Sequence, residues 1–588
     1  MSSSKDDIRV VIGIDFGTTY SGYAYAHKSN PKDISSEDKW SSGFPDYKTP
    51  TVIKYEDESY TKVKSWGFKA FADRPKKKKN TDKSIPLELF KLFLFKNSSM
   101  ANPYLPDNLD YKKVITDYLK ELCKMVKKSV NTHWQNLEFY TKVLIVLTVC
   151  LIVFIIVLNF EFDDDAIAIM RECAFDAGLI NEKNSCNLIF TTEPEAAAVY
   201  CLSALEKVHN LKPGDSFMVV DCGGGTVDLT RHELLQNSKL SEITERSGEN
   251  CGSSFIDKKF IEFVGRKLGK SFEFLKRNHY SSIQYMVQEF CRRVKIPFTG
   301  QKNEFQCYEI DLEEYPLLKV LVEGKEKRLL EKDDWLIYIE FNDVKTMFDP
   351  IVEDIIKLMT EQLKNNDKKC SAIMLVGGFG ESRYLQDRIR KEFNKTVPNI
   401  SVPTQPIIAV VKGAVQFGLQ ADIVVNRVLK RTYGALSSSF LIQCLVKRKN
   451  ALMLFVIFVG TDIARRSLPN DPPSQKLPNG YTIIFEALAR RGKQISPNDK
   501  VIKQFKPYSL TQPNIGFDMY VTKEHDAKFC DDPGVSLLRD WEIKLPEIDN
   551  YDDDTTILLT LTFGTVEITA TAENQNTGEK YQVKLKYE

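Results

Sequence analysis

The sequence is short of net charge, of cysteine, of histidine, and of any apolar run at its start. With 81 Lys and Arg against 80 Asp and Glu, the balance is +1. No overall positive field exists to hold a polyphosphate backbone, which excludes nucleic acid as the main partner. The 12 cysteines in 588 residues are scattered. They form no CxxC and no Cys/His spacing suited to a tetrahedral zinc site, so reduced thiols are expected. The six histidines make no spaced pair, and none is assigned a catalytic role. The opening MSSSKDDIRV carries charges where a secretion signal needs an apolar core. Disorder is excluded as well: 43% hydrophobic and 27% charged residues are typical of a chain that buries a core. A length of 588 residues corresponds to about four compact units, or fewer if one is a large α/β fold.

Two passages share one design. VVIGID, a Gly/Thr turn and YSGYAYA read as a β-hairpin beginning near Arg9, and FMVVD, CGGGT and VDLTRHEL repeat it beginning near Phe217. Apolar strand, Asp, Gly-containing turn and Thr recur in that order, which points to two equivalent lobes. Helical patterns are expected at 111–130, 164–178, 254–268, 349–364 and 381–393. The fourth is expected to open at Asp349-Pro350, since Asp caps free amides and Pro suits a first turn. Alternating strands and helices give an α/β class. Beyond about residue 470 the texture changes to short alternating runs, with a turn at Asn574–Gly578 between the last two.

The chemistry sits in the hairpin tips. Glycines let backbone amides approach a phosphate closely, because no Cβ stands in the way. Gly17, Thr18 and Thr19 in one tip, and Gly223, Gly224, Gly225 and Thr226 in the other, combine such turns with hydroxyls. Asp15 and Asp221 each place a carboxylate at a strand end, where it holds magnesium through waters. Gly265–Ser271 imitates a P-loop, but it has three residues between its glycines where four are needed, and it ends a helical pattern.

In order along the chain, IGIDFGTTYSG, TTEPEAAAVY, VVDCGGGTVDL, CGSSFID and LVGGFGESRYLQ resemble the heat shock protein 70 family of the actin-like ATPase superfamily. GGFGES and the ending LTFGTVEITATAENQNTGEKYQVKL look most like its divergent member-12 branch. The resemblance implies a duplicated actin-like ATPase fold of two lobes followed by a C-terminal antiparallel β-domain, with ATP/ADP and Mg2+ as cofactors. It places Thr18 and Thr19 at the β- and γ-phosphates and Thr226 at the γ-phosphate. Asp15 and Asp221 fall at the magnesium and attacking water, with Glu193 nearby. Lys91 orients that water, and Lys96 is the alternative. Gly252, Glu289, Arg292, Arg293, Gly377 and Gly378 line the nucleoside pocket, Arg being able to stack on a base. The chain departs from the family at Glu381, where an arginine is expected, at Ile407, where an aspartate is expected, and at 424–434, where VVNRVLKRTYG is basic and the family linker acidic.

The implied function is a slow magnesium-dependent ATPase, cytoplasmic, acting as a chaperone whose β-domain binds unfolded or signalling polypeptides. The nucleus is the alternative compartment if RPKKKK at 74–79 is an import signal instead of a solvated loop. Two rival functions stay open: a nucleotide-regulated scaffold with little turnover, and a sugar-kinase-like phosphotransferase, which needs a substrate-facing carboxylate base. The expected organisation is a nucleotide-binding domain at 8–436, an irregular or inserted connection at 437–470, and a β-rich substrate-binding domain at 471–588. VLIVLTVCLIVFIIVLNF, at 143–160, reaches the length of a membrane helix. A span there would put Asp15 and Asp221 on opposite sides of a bilayer. The reading is therefore a core strand followed by an apolar insert at about 150–160, a membrane helix or a gene-model artefact being the alternatives; membrane association is not expected. The Asp163–Asp165 cluster reads as a helix N-terminus.

Overall fold

The computed structural model describes residues 7–40, 46–71, 85–94, 104–149, 164–420, 422–429, 432–438, 442–448, 451–457, 464–471, 473, 476, 481–483, 485–496, 499–505, 514–524, 527–530, 532–544, 556–563 and 567–586. The insert at 150–160, the basic run at 74–79 and Lys96 lie outside them. The described residues form a mixed α/β structure of several sheets, in two compact units that divide at Val424/Val425.

In the first unit, the apolar run VVIGIDF is a strand, Val10–Phe16, with every residue buried. It pairs antiparallel with Tyr20–His27 and parallel with Val143–Val149, which in turn runs parallel to Leu188–Thr192. Both faces of such a strand are covered, so its sequence is continuously apolar instead of alternating. A second sheet repeats the order. Ser216–Cys222 pairs antiparallel with Val227–Leu235 and parallel with Cys370–Val376, and Asn399–Ser401 lies parallel beyond. Each sheet thus carries one hairpin whose tip follows an Asp at the end of a central strand.

Helix Ala409–Leu419 packs on the first sheet and helix Glu193–Lys207 on it and on the second sheet, with Ala196, Ala197, Ala198, Val411 and Ala414 in their shared core beside Phe217 and Val219. Helices Ser254–Leu268 and Phe341–Lys364 pack on the second, around Phe260, Val264, Val352 and Ile355. The helix expected at 254–268 has those bounds, and Gly269 ends it in the left-handed region at φ 65°.

One helix start is corrected. Asp349-Pro350 lies inside Phe341–Lys364 and does not open it. A reciprocal capping box of Glu340 and Asp343 starts the helix earlier and outcompetes the Asp-Pro signal. The Asp349 carboxylate is spent elsewhere, accepting from Lys345, Tyr384 and Arg388. Likewise Glu381 belongs to a short 3-10 turn, and the next helix, Arg383–Phe393, is capped by Ser382.

The second unit contains two four-stranded antiparallel sheets. One is ordered Glu486–Ala489, Thr432–Ser438, Asn514–Thr522, Val535–Lys544; the other Lys500–Phe505, Ile557–Phe563, Glu567–Asn574, Lys580–Lys586. Ile557–Phe563 alternates buried and half-buried positions, burying Ile557, Leu559, Leu561 and Phe563 beside Ile568, Ala570 and Phe517. Ile442–Arg448 and Ala451–Ile457 form a regular hairpin in the stretch expected to be irregular or inserted. Among the described residues no helix is long and apolar enough to cross a membrane.

Candidate functional site

The two hairpins of the first unit meet at their tips. A Cβ placed on Gly224 would stand 2.2 Å from Thr19 Oγ1, and one on Gly225 would stand 3.5 Å from Thr18 Cβ. Any side chain at 224 would therefore force the tips apart. The second tip is backed by the CGSS segment: Gly252, Ser253 and Ser254 donate their amides to the carbonyls of Gly225, Gly223 and Gly224 at 3.3, 3.1 and 2.8 Å. Gly252 is required there too, because its Cβ would lie 2.4 Å from Gly224 O. With the carbonyls turned back into the protein, the amides are left forward. Those of Thr18, Thr19, Gly224 and Gly225 meet no acceptor among the described residues. A row of unfilled amides in paired turns fits an anion.

Four of the expected residues converge behind the tips. Lys91 is buried, donates to the Phe16 carbonyl and pairs with Glu193 Oε1 at 2.9 Å. Glu193 opens its helix behind the N-cap Thr192, whose hydroxyl accepts the Glu195 amide at 3.3 Å. Burial pushes the Glu193 carboxyl up; Lys91 opposes that shift and Asp15 adds to it. Asp15 is 3% exposed. Asp221 is buried, and its side chain has no hydrogen bond or ion pair among the described residues. Burial drives its carboxyl well above the usual range, with Glu193, Asp228 and Asp15 adding and Lys48 opposing. Three carboxyl groups around two ammonium groups leave oxygen donors, those of Asp221 among them. That donor set fits a hard divalent cation.

Other residues of the site have no local motif to announce them. Lys48 pairs with Asp15 Oδ2 at 2.6 Å, and Thr148 Oγ1 donates to Asp15 Oδ1 at 3.1 Å. Lys48 precedes the short strand Thr49–Pro50 that pairs with Tyr20–His27, and Thr148 faces Asp15 across the parallel ladder. Both arrive through sheet register, far from Asp15 in sequence. Thr226 donates its hydroxyl to Asp228, a second buried carboxylate, at 3.0 Å.

The expected nucleoside residues stand differently. Arg292 and Arg293 are more than half exposed and pair with Glu289, each at 3.0 Å. Lys295, one helical turn on, is the cation that reaches inward: its ammonium donates to Ser253 O at 2.7 Å and pairs with Asp257 at 2.6 Å. Gly377 occupies the left-handed region at φ 79°, where a Cβ would lie 2.5 Å from Asp221 Oδ1. Ile407 packs 3.8 Å from the Cβ position of Gly378. Among the described residues no three His, Cys, Asp or Glu side chains form a ready metal cage.

Human heat shock 70 kDa protein 12A is 23% identical to the chain, with 100% of the chain and 92% of the relative aligned. Human heat shock 70 kDa protein 12B is 23% identical over 98% of the chain and 91% of its own length. The chain is homologous to heat shock 70 kDa proteins 12A and 12B. A chaperone protein dnaK from Cyanidium caldarium matches a shorter part, 26% identical over 45% of the chain and 40% of the relative. A family described as a domain of unknown function (DUF8340) matches residues 210–402. That segment holds the second hairpin, the CGSS backing and Gly377, whereas Asp15, Lys48, Lys91 and Glu193 precede it.

Proposed function

We propose that the first unit is a nucleotide-binding domain of heat shock 70 type, its two matching sheets being the lobes of a duplicated actin-like fold, and that it binds ATP or ADP with Mg2+. The observation that carries this reading is the pair of tip-to-tip hairpins, with unfilled amides in front and Asp15, Asp221, Glu193 and Lys91 behind. The tips cradle the phosphates, Gly17–Thr19 from one side and Gly223–Thr226 from the other. Mg2+, when bound, supplies charge neutralisation at the β- and γ-phosphates. Asp15 and Asp221 would hold it, and Asp221, having no donor of its own among the described residues, has oxygens to offer. Lys91 is fixed by Glu193 and the Phe16 carbonyl, which aims one ammonium at the site and orients a water. Phosphoryl transfer asks little more of a protein than such positioning and charge.

The first unit, which ends at Val424, thereby becomes a slow ATPase. The strands beyond, with the domain proper at 471–588, form the β-domain that takes unfolded or signalling polypeptides as a chaperone does, in the cytoplasm. A scaffold with little turnover is the second reading, favoured by the engagement of Asp15 with Lys48. Calorimetric titration of the full chain with ATP, in Mg2+ and in excess EDTA, tests the site. Magnesium-dependent binding is expected, and no binding in either condition would sink the proposal. Single-turnover hydrolysis no faster than buffer would leave the scaffold.

A further inference from the structure

Both oxygens of the Asp15 carboxylate are already engaged. Oδ1 accepts from Thr148 and Oδ2 is paired with Lys48. The lysine reaches it by construction. Asp15 faces Gly22 across the hairpin, and the Cβ position of Gly22 lies 3.1 Å from Lys48 Cγ, so the bare backbone at Gly22 makes room for the Lys48 stem to cross the strand. The ammonium is held at its end: its side chain is 12% exposed.

Resting on the nucleotide reading above, we propose that Lys48 is a tethered cation standing in the place of Mg2+ on Asp15, and that a divalent ion binds there only by displacing it. Lys48 thus sets how tightly the site takes a divalent ion before any nucleotide arrives. The physical ground is competition: an ammonium at contact distance occupies the Asp15 oxygen that would face a second cation's hydration shell, and two cations side by side repel strongly in a partly buried site.

The test uses the full chain and Mn2+ alone, with binding followed by electron paramagnetic resonance. Lys48→Met is expected to bind Mn2+ at least about tenfold more tightly than wild type, a modest share of what removing one competing unit charge at contact allows. Lys48→Gln keeps a donor for Asp15 without the charge and is expected to tighten likewise, should Lys48→Met fail to fold. Lys48→Arg keeps the charge and is expected to match wild type. Unchanged or weaker Mn2+ binding in a folded Lys48→Met or Lys48→Gln overturns the assignment and makes Lys48 a ligand for something other than the cation's site. Calorimetric Mg2+·ATP binding to wild type is measured alongside. Its absence overturns the nucleotide reading, whereas its presence with an unmoved Mn2+ affinity overturns the role of Lys48 alone.

Discussion

The carboxylates of the site are chemically unequal, although the two hairpins that carry them are alike. Asp15 is satisfied by Thr148 and Lys48, while Asp221 is buried without a donor, and that burial drives its carboxyl well above the usual range. Asp221→Asn is therefore expected to fold at least as well as wild type, because an amide is cheaper to bury than a carboxyl without a donor, yet to weaken magnesium-dependent ATP binding by about tenfold or more. Asp15→Asn is expected to weaken it too, and to lower the melting temperature by leaving Lys48 without its partner. Calorimetry with and without Mg2+, beside thermal melting, checks both; wild-type affinity in the two variants would remove them from the site. Lys91→Ala separates chemistry from binding. It is expected to lose about a hundredfold in single-turnover hydrolysis while ATP affinity holds within about threefold. Because Lys91 is buried against Glu193, the same variant is expected to be less stable by about 3 kcal/mol in urea unfolding.

Elements are placed by a few buried ion pairs as well as by the apolar core. Arg246 forms a fork on Glu242, at 2.7 and 3.4 Å, and donates to the Thr192 hydroxyl at 2.8 Å. It ties strand Lys239–Glu242 of the second sheet to the cap of the helix that begins with Glu193. Arg246→Ala strands the buried Glu242 carboxylate and is expected to cost about 3–5 kcal/mol in urea unfolding; Arg246→Lys should recover only part, since an ammonium cannot span both oxygens. Asp349 fastens helix Phe341–Lys364 to helix Arg383–Phe393. Partial burial works against its charge, but Lys345, Tyr384 and Arg388 outweigh it and hold the carboxyl below 3.8. A depressed folded value means stability that is present above the unfolded value and lost as pH falls through the folded one. The difference in melting temperature between wild type and Asp349→Asn is thus expected to be constant above about pH 5 and to shrink below pH 3.8. A difference that grows toward acid would contradict the ion-pair account.

For the whole molecule, the apolar passage is decisive. Strand Val143–Val149 is a buried member of the first sheet, seated between the strand that carries Asp15 and the strand that leads to Glu193. The site therefore needs residues 143–149 in the core. The ten residues 150–159 extend the connection to helix Asp164–Asp176 beyond the few residues that an α/β crossover uses. Replacing residues 150–159 by a Pro-Ala turn is expected to give a more soluble chain that binds ATP at least as well as the full one. Carbonate-resistant membrane insertion of the full chain, together with loss of ATP binding on deletion, would refute this.

Much of this molecule is local in its sequence. Val10–Phe16 and Ser216–Cys222 were legible because a fully covered strand is apolar throughout, and their tips because close backbone approach demands glycine. Ser254–Leu268 was legible from its periodicity and its closing Gly269. The turn at Asn574–Gly578 was legible from composition, and Gly578 sits at φ 74°. Asp349-Pro350 misled, because a helix start is a competition among caps and the box at Glu340 and Asp343 lies about two turns upstream of a Pro that the helix tolerates. Lys48, Thr148 and Lys295 were not legible at all. No spacing marks them; they reach their partners through strand register and helix packing that bring distant positions together. The sequence by itself determined which residue types stand ready for a phosphate and a cation. Only the tertiary structure decided which carboxylate is already occupied, since that depends on which buried side chain the sheet register sets opposite it.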